Sequence, residues 1–305
     1  MLARTLICFP VEDAPGLSTE AAQLALGLAT CGSEVYVVGN IGAWRHMLRR
    51  EHISAFECDL VLEQRQLSDL LREFEPQVIH VFGTAAVRAA LPMASLVGAT
   101  GVATLGHHDL DNLNPTDYRT VSTVFVPCES LREQVARRLP SVAVVTTGYL
   151  LPPVDDTMDQ ARQRFLAEEL GLQENAPVVL HADSFSGESA ATALCLIDAA
   201  EIIAKHIPGV QFLLAGDGER LGEIEERASA VNNTLHRRAI LLPGSRNDIQ
   251  HLLSLAAVAV GSGRFAMEAV GAGVALVAAG EAGMLGTYTE ESTSVAQFTC
   301  CGRHG

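Results

Sequence analysis

The chain has 305 residues, 48% of them hydrophobic, a length that suits about two domains and a composition that excludes a disordered chain. Its 36 acidic residues outnumber the 21 basic ones, a net charge of −15. That balance excludes a general nucleic-acid binder, because phosphate backbones need a positive protein surface.

In chain order, residues 5–9 read as a strand, 10–18 as a loop and 19–31 as an apolar-periodic helix that stops at Gly32. A strand at 34–38, helices at 44–52 and 67–74 and a strand at 77–81 follow. Next come a helix at 85–97, a strand at 101–105, a loop at 106–109, a strand at 123–126, a helix at 130–139 and a strand at 142–145. The paired prolines in 150–154 mark a linker. Beyond it the rhythm resumes, with helices at 160–170, 190–206, 221–231, 249–256 and 264–270. The strands between them are 178–181, 211–214, 239–242, 258–260 and 274–277.

Strand runs without polar alternation, separated by helices, predict parallel sheets covered on both faces. The fold class is therefore α/β, with two tandem Rossmann-like doubly wound domains, residues 1–150 and 151–305, facing a cleft. Such domains take ligands beyond the carboxyl ends of their strands, against helix N-termini. Lys205 is the one lysine among the basic residues. Any phosphate grip must then use arginine, histidine, backbone N–H groups or a helix N-terminus.

The seven cysteines show no CxxC pair or zinc spacing, and most sit among apolar residues, as buried free thiols of a reducing compartment would. No apolar run reaches membrane-span length and no signal peptide precedes the first strand, so the expected location is the cytoplasm. Residues 44–52 carry Trp44, Arg45, His46, Arg49, Arg50 and His52 on one helix. A solvated basic face is the plain reading, and contact with anionic lipid at the inner face of a membrane, or with an acceptor at the cleft rim, are the other uses open to it.

Several stretches in the second half resemble retaining GT-B glycosyltransferases of family four. Residues 177–200 look like that family's entry strand and helix. Residues 208–219, ending in Ala-Gly-Asp-Gly-Glu, resemble its strand and Gly-Asp-Gly loop. Residues 240–253 are similar to its nucleobase-side segment, and 261–277, Gly-Ser-Gly-Arg-Phe-Ala-Met-Glu and onward, resemble its glutamate signature. In the first half the likeness is looser: Gly16 with Ser18 and Thr19 looks like the glycine-bearing loop, 77–81 like an internal strand, 104–109 like a strand ending in histidine, and 124–132 like a further segment.

The resemblance implies transfer of a sugar, with retention and without a metal ion, from a nucleotide-diphosphate sugar to an acceptor that is a glycan, a lipid-linked sugar or a small molecule. No cofactor is implied. Glu268 would take the ribose hydroxyls, with a first-turn glutamate complementing the helix dipole as the plainer alternative. Ser262 and Gly263 would let backbone approach the diphosphate, and the Arg264 fork would suit its oxygens, unless it is simply a surface arginine. Gly244, Ser245 and Arg246 would lie at the base, or form an ordinary turn. His107 or His108 would meet the leaving diphosphate or a sugar hydroxyl as the catalytic histidine. His80 reads as a packed strand residue and Asp217 as a turn residue. No Asp-x-Asp is placed to hold a metal beside a diphosphate; Asp109 with Asp111 and the Asp155-Asp156 pair are the nearest imitations.

Three departures qualify the resemblance. Ser184 and Ser189 stand where the family has an arginine and a lysine, so two clamp charges are missing. Val260 stands where it has the first of two glutamates. The sequence after residue 291 has little periodicity where the family has further helices, so the second domain reads as incomplete. The two serines and Val260 favour a second function, a non-catalytic nucleotide-sugar binder or partner subunit, and the shared scaffold keeps a third in view, a nucleotide-sugar epimerase or a phosphorylase.

Overall fold

The computed structural model describes residues 3–11, 15–151, 158–281 and 283–302. Asp155, Asp156 and most of the expected linker lie outside the described residues. The chain divides into two compact units, Met1–Pro152 and Pro153–Gly305.

The first unit alternates strands β1 (Thr5–Cys8), β2 (Val35–Gly39), β3 (Ser54–Glu57), β4 (Val78–Phe82), β5 (Thr100–Thr104), β6 (Val121–Val126) and β7 (Ala143–Thr146) with helices. Those helices are α1 (Pro15–Thr30), α2 (Arg45–Arg50), α3 (Gln64–Phe74), α4 (Thr84–Ala90) and α5 (Glu129–Arg138). The strands form one sheet in the order β3-β2-β1-β4-β5-β6-β7, and every pairing is parallel. All four residues of β1 are buried, as a central strand covered on both faces requires. Helix α3 shows how the cover is made. Leu67, Leu71 and Phe74 fall on one face at helical spacing and are buried, while Arg65, Gln66, Asp69, Arg72 and Glu73 are exposed.

The second unit opens with α6 (Gln160–Leu170), where the Asp159 carboxylate accepts the Arg162 N–H at 2.8 Å and Gly171 ends the helix at φ 75°. Its strands are β8 (Val178–Ala182), β9 (Gln211–Ala215), β10 (Ile240–Leu241), β11 (Val258–Gly261), β12 (Ala275–Gly280) and β13 (Gly283–Thr287). Between them run α7 (Ala190–His206), α8 (Leu221–Thr234), α9 (Ile249–Leu253) and α10 (Gly263–Gly271), and α11 (Thr293–Thr299) follows. The sheet order is β10-β9-β8-β11-β12-β13, parallel except for β13. Phe265, Ala266 and Ala269 of α10 enter a core cluster with Leu180, Ala259 and Leu276.

The expected α/β class is the observed one. Among the strands and α-helices, three were not expected from the sequence: β3, β13 and α11. The two strands lie at sheet edges. Three of the four β3 residues are exposed, and β13 carries two glycines, so neither has an apolar run to announce it. Helix α1 starts at Pro15, so Gly16, Ser18 and Thr19 sit in its first turns and not in a loop ahead of it.

Candidate functional site

In each sheet the winding direction reverses once, between β1 and β4 and between β8 and β11. Ligands of doubly wound folds bind beyond the carboxyl ends of the strands at that reversal. In the second unit, β8 and β11 keep parallel pairing at Val179 and Leu180, then part. Beyond that point the His181 imidazole takes over, with Nδ1 2.8 Å from the Val260 carbonyl oxygen. A carbonyl can only accept, so His181 carries its proton on Nδ1. This fully buried histidine was not singled out by its sequence.

The turn after β11 begins α10. Gly261 lets the Phe265 ring fold back on the strand end; a Cβ there would stand 2.7 Å from the ring. Ser262 is extended at the N-cap, and Gly263 follows at φ 60°, a backbone conformation that favours glycine. The Ser262 hydroxyl is buried and has no hydrogen-bond partner among the described residues. It leans toward Gly280, where a Cβ would come within 2.3 Å of its oxygen. The Gly263 N–H donates to the Cys300 carbonyl at 2.7 Å, so the segment after α11 covers the N-terminus of α10.

Glu268 is the sixth residue of α10 and lies in the second turn, which corrects the first-turn placement. Its carboxylate meets the Arg264 guanidinium, Nε to Oε1, at 2.8 Å, with side chains only 13% and 7% exposed. Burial pushes the Glu268 carboxyl above the usual carboxylate range, and Arg264 pulls it back part of the way. Nη1 and Nη2 of Arg264 are buried and make no hydrogen bond among the described residues. Arg264 is thus no surface arginine: one edge of the fork holds Glu268 and the other presents unsatisfied donors.

The residues at the family's clamp positions behave differently from each other. Ser184 is exposed, and its backbone N–H turns onto the Asp183 carboxylate at 2.8 Å. Ser189 donates its hydroxyl to Glu281 Oε1 at 2.6 Å. The nucleobase-side segment is also tied internally. Gly244, at φ 77°, accepts the Gly216 N–H at 3.0 Å, and Ser245 is exposed. The Arg246 guanidinium is held by Asp248 at 2.8 and 2.6 Å and by Glu169 at 3.1 Å. Its side chain is committed to those carboxylates, which leaves backbone and the exposed Ser245 in this stretch to meet a ligand.

In the first unit, β5 runs into a 3-10 turn, His107–Asn112. The buried Asp109 ties this turn to the start of α4. Its carboxylate accepts the Thr84 N–H at 2.6 Å, the Thr84 hydroxyl at 2.9 Å and the Gly106 N–H at 2.8 Å. His108 is exposed, with Nε2 3.8 Å from Asp109 Oδ2, and His107 is half-buried. Of the pair, His108 is the one presented at the strand ends beside a carboxylate. His80 is a packing residue: it shares a hydrogen bond with the Thr104 hydroxyl at 2.8 Å and stacks on Phe82.

Trp44 packs against the first unit's core, and Arg45 and Arg50 pair with Glu57 and Glu51, so part of the basic helix is neutralised locally. No helix of the described residues is long and apolar enough to cross a membrane. Among those residues no group of three or more His, Cys, Asp or Glu is placed to hold a metal ion. Five of the seven cysteines are buried as expected, but Cys31 and Cys195 are exposed; burial pushes the thiols of Cys58 and Cys301 up to about 11.

Solved structures with the same architecture are glycosyltransferases and UDP-sugar epimerases. A glycosyltransferase from Rickettsia africae superposes with a TM-score of 0.68 at 14% identity, covering 90% of this chain and 78% of that one. Anabaena HepE in complex with UDP-glucose gives 0.69 at 18% identity, with 91% and 80% covered. The chain carries the GT-B fold. UDP-GlcNAc 2-epimerase from Neisseria meningitidis, bound to UDP-GlcNAc, gives 0.61 at 18% identity, with 97% and 85% covered. No family model matches the chain, and no curated protein matches it by sequence.

Proposed function

We propose that the protein is a glycosyltransferase that takes its sugar from a nucleotide-diphosphate sugar, with UDP-sugars as the first donors to test. The observation that carries this reading is the buried Arg264–Glu268 pair on α10, with two unsatisfied guanidinium nitrogens beside it. Buried donors without acceptors mark a missing partner, and a fork of N–H groups next to a carboxylate suits a phosphorylated ribose. Glu268 accepts ribose hydroxyls. The Nη edge of Arg264 and the Ser262 hydroxyl meet diphosphate oxygens. The Gly263 N–H joins them once the Cys300 carbonyl is displaced. Arg264 then supplies charge that Ser184 and Ser189 lack.

Catalysis on this account is positioning plus stabilisation of the charge that develops on the leaving diphosphate. His108, exposed beside Asp109, donates to a sugar hydroxyl or to that diphosphate. Transfer proceeds with retention and without a metal ion, and the acceptor binds to the first unit, as the family resemblance implies. The basic residues of α2 left unpaired on that unit are where an inner membrane face would touch.

A second reading is favoured by one contact. Ser189 is engaged by the Glu281 carboxylate, which places negative charge at a clamp position and suits a non-catalytic binder. One assay separates the readings: incubation with UDP-, GDP- and ADP-sugars and an acceptor panel, following nucleoside diphosphate release. The transferase reading expects acceptor-dependent release from at least one donor. Glu268→Gln is the control, because alanine would strand a buried guanidinium. It should lower release about tenfold or more, the size of a charged hydrogen bond lost. Binding without release favours the binder, donor epimerisation without acceptor favours the epimerase, and no binding of any donor contradicts the proposal.

A further inference from the structure

A glutamate meant to accept ribose hydroxyls must be ionised and held in one orientation, and burial works against the first of these. Helix α10 packs against α9, β11 and β12, and the segment after α11 brings the buried Cys300 and Cys301 to its N-terminal half. Strands β11 and β12 contain no titratable side chain, and α9 contributes His251, which sits beside Asp248. On its own helix Glu268 faces Arg264, the charged group that acts on its carboxyl. Ordinary surface economy does not explain this pair. An acidic residue stabilises a helix best when it precedes its basic partner by four positions; here the arginine comes first, near the positive end of the helix dipole. Both side chains are withdrawn from water, where an ion pair gains little over apolar packing.

We infer that Arg264 is a positioning residue that keeps Glu268 ionised and aimed at the ribose of the donor, through the bond from Nε to Oε1. The inference rests on the nucleotide-sugar reading above and adds a specific duty for a side chain that the resemblance connects only with the diphosphate. The bond occupies one carboxylate oxygen and leaves the other to meet hydroxyls. Without the guanidinium, burial alone governs the carboxyl, and it takes up a proton at a higher pH than in the wild type. A protonated Glu268 presents one acceptor fewer and no charge, so binding and proton uptake compete.

The test is UDP-glucose affinity by calorimetry on the full chain over pH 5 to 8, the range in which histidines also titrate. Arg264→Met is compared with wild type, Arg264→Lys and Arg264→Met/Glu268→Gln. In Arg264→Met the pH at which affinity begins to fall should move upward, with a loss of about tenfold per pH unit below it. Arg264→Lys, which keeps the charge but not the Nη edge, should restore the wild-type pH dependence at a lower overall affinity. The double variant, with no carboxyl left to titrate, should lose the slope that Arg264→Met introduced. Arg264→Gln, which keeps a donor without the charge, replaces Arg264→Met if circular dichroism shows that the methionine variant does not fold. An equal loss of affinity at every pH, or a slope that survives in the double variant, overturns the inference while leaving the nucleotide-sugar reading in place. A wild-type chain that binds no UDP-glucose at any pH overturns both.

Discussion

Gly216→Ala is expected to destabilise the second unit by about 3 kcal/mol or more, the upper range for overpacking a close contact. Gly216 follows β9 and is packed by the loop that leaves β8. A Cβ there would stand 2.2 Å from the Asp183 carbonyl oxygen and 2.7 and 2.8 Å from two atoms of the Phe185 ring. The nearest of these is backbone and cannot swing aside, and the ring is fully buried. The cost is purely steric, because the φ of Gly216 lies outside the left-handed region. The same loop is stitched by the Phe185 N–H to the Asp217 carbonyl at 2.9 Å and the Arg220 N–H to the Phe185 carbonyl at 2.9 Å. Any shift that admits the methyl group therefore breaks further bonds. Gly27 in α1 supplies the contrast: nothing lies within 4 Å of its would-be Cβ. Gly27→Ala should stabilise the first unit by about 0.5–1 kcal/mol through helix propensity and chain entropy. Urea unfolding of the two variants checks both signs. A Gly216→Ala transition at the wild-type midpoint would refute the packing argument.

Acid is expected to weaken the first unit through His80. This side chain is buried between Phe82 and Phe125, with ring centroids at 4.8 and 5.5 Å. Burial pushes its pKa down to about 3, from about 6.5 in an unfolded chain. The folded state therefore excludes a proton that the unfolded state binds. The stabilisation is fully present above about pH 6.5 and is lost progressively as the pH falls toward about 3, by about 1.4 kcal/mol for each unit. Over that window the loss reaches about 4–5 kcal/mol. Replacing both partners, His80→Val with Thr104→Val, removes the titrating ring and the hydroxyl it bonds, so that neither is left unsatisfied. Urea unfolding at a series of pH values should show a steep acid decline in the wild type and a shallower one in the double variant. Equal slopes would place the acid sensitivity elsewhere.

Central features were legible because they rest on local patterns. The central strands β1, β8 and β9 are mostly apolar runs, interrupted only by Thr5, His181 and Gln211. Helices α6 and α7 have the observed bounds because a glycine stop and a basic last turn mark their ends. The edge strands β3 and β13 gave no such signal, since an edge needs no apolar run on either face. The site was legible where it is contiguous. Residues 261–268 form one turn and helix, and helical spacing alone brings Arg264 to Glu268. Its remaining parts depend on contacts far apart in sequence. Asp109 acts on Thr84 across 25 positions and His181 on Val260 across 79, and no spacing rule connects them. The pairing of Ser189 with Glu281 is equally remote, at 92 positions, so the absence of a clamp lysine was visible while the carboxylate beside its replacement was not.

If the stretch from Gly261 to Glu268 holds the nucleotide end of an activated sugar, as proposed, titration of the full chain with UDP in a calorimeter should give saturable binding at one site, weakened roughly 10- to 100-fold in Glu268→Gln. Absence of heat and of any thermal stabilisation by UDP, or equal affinity in wild type and Glu268→Gln, would contradict it.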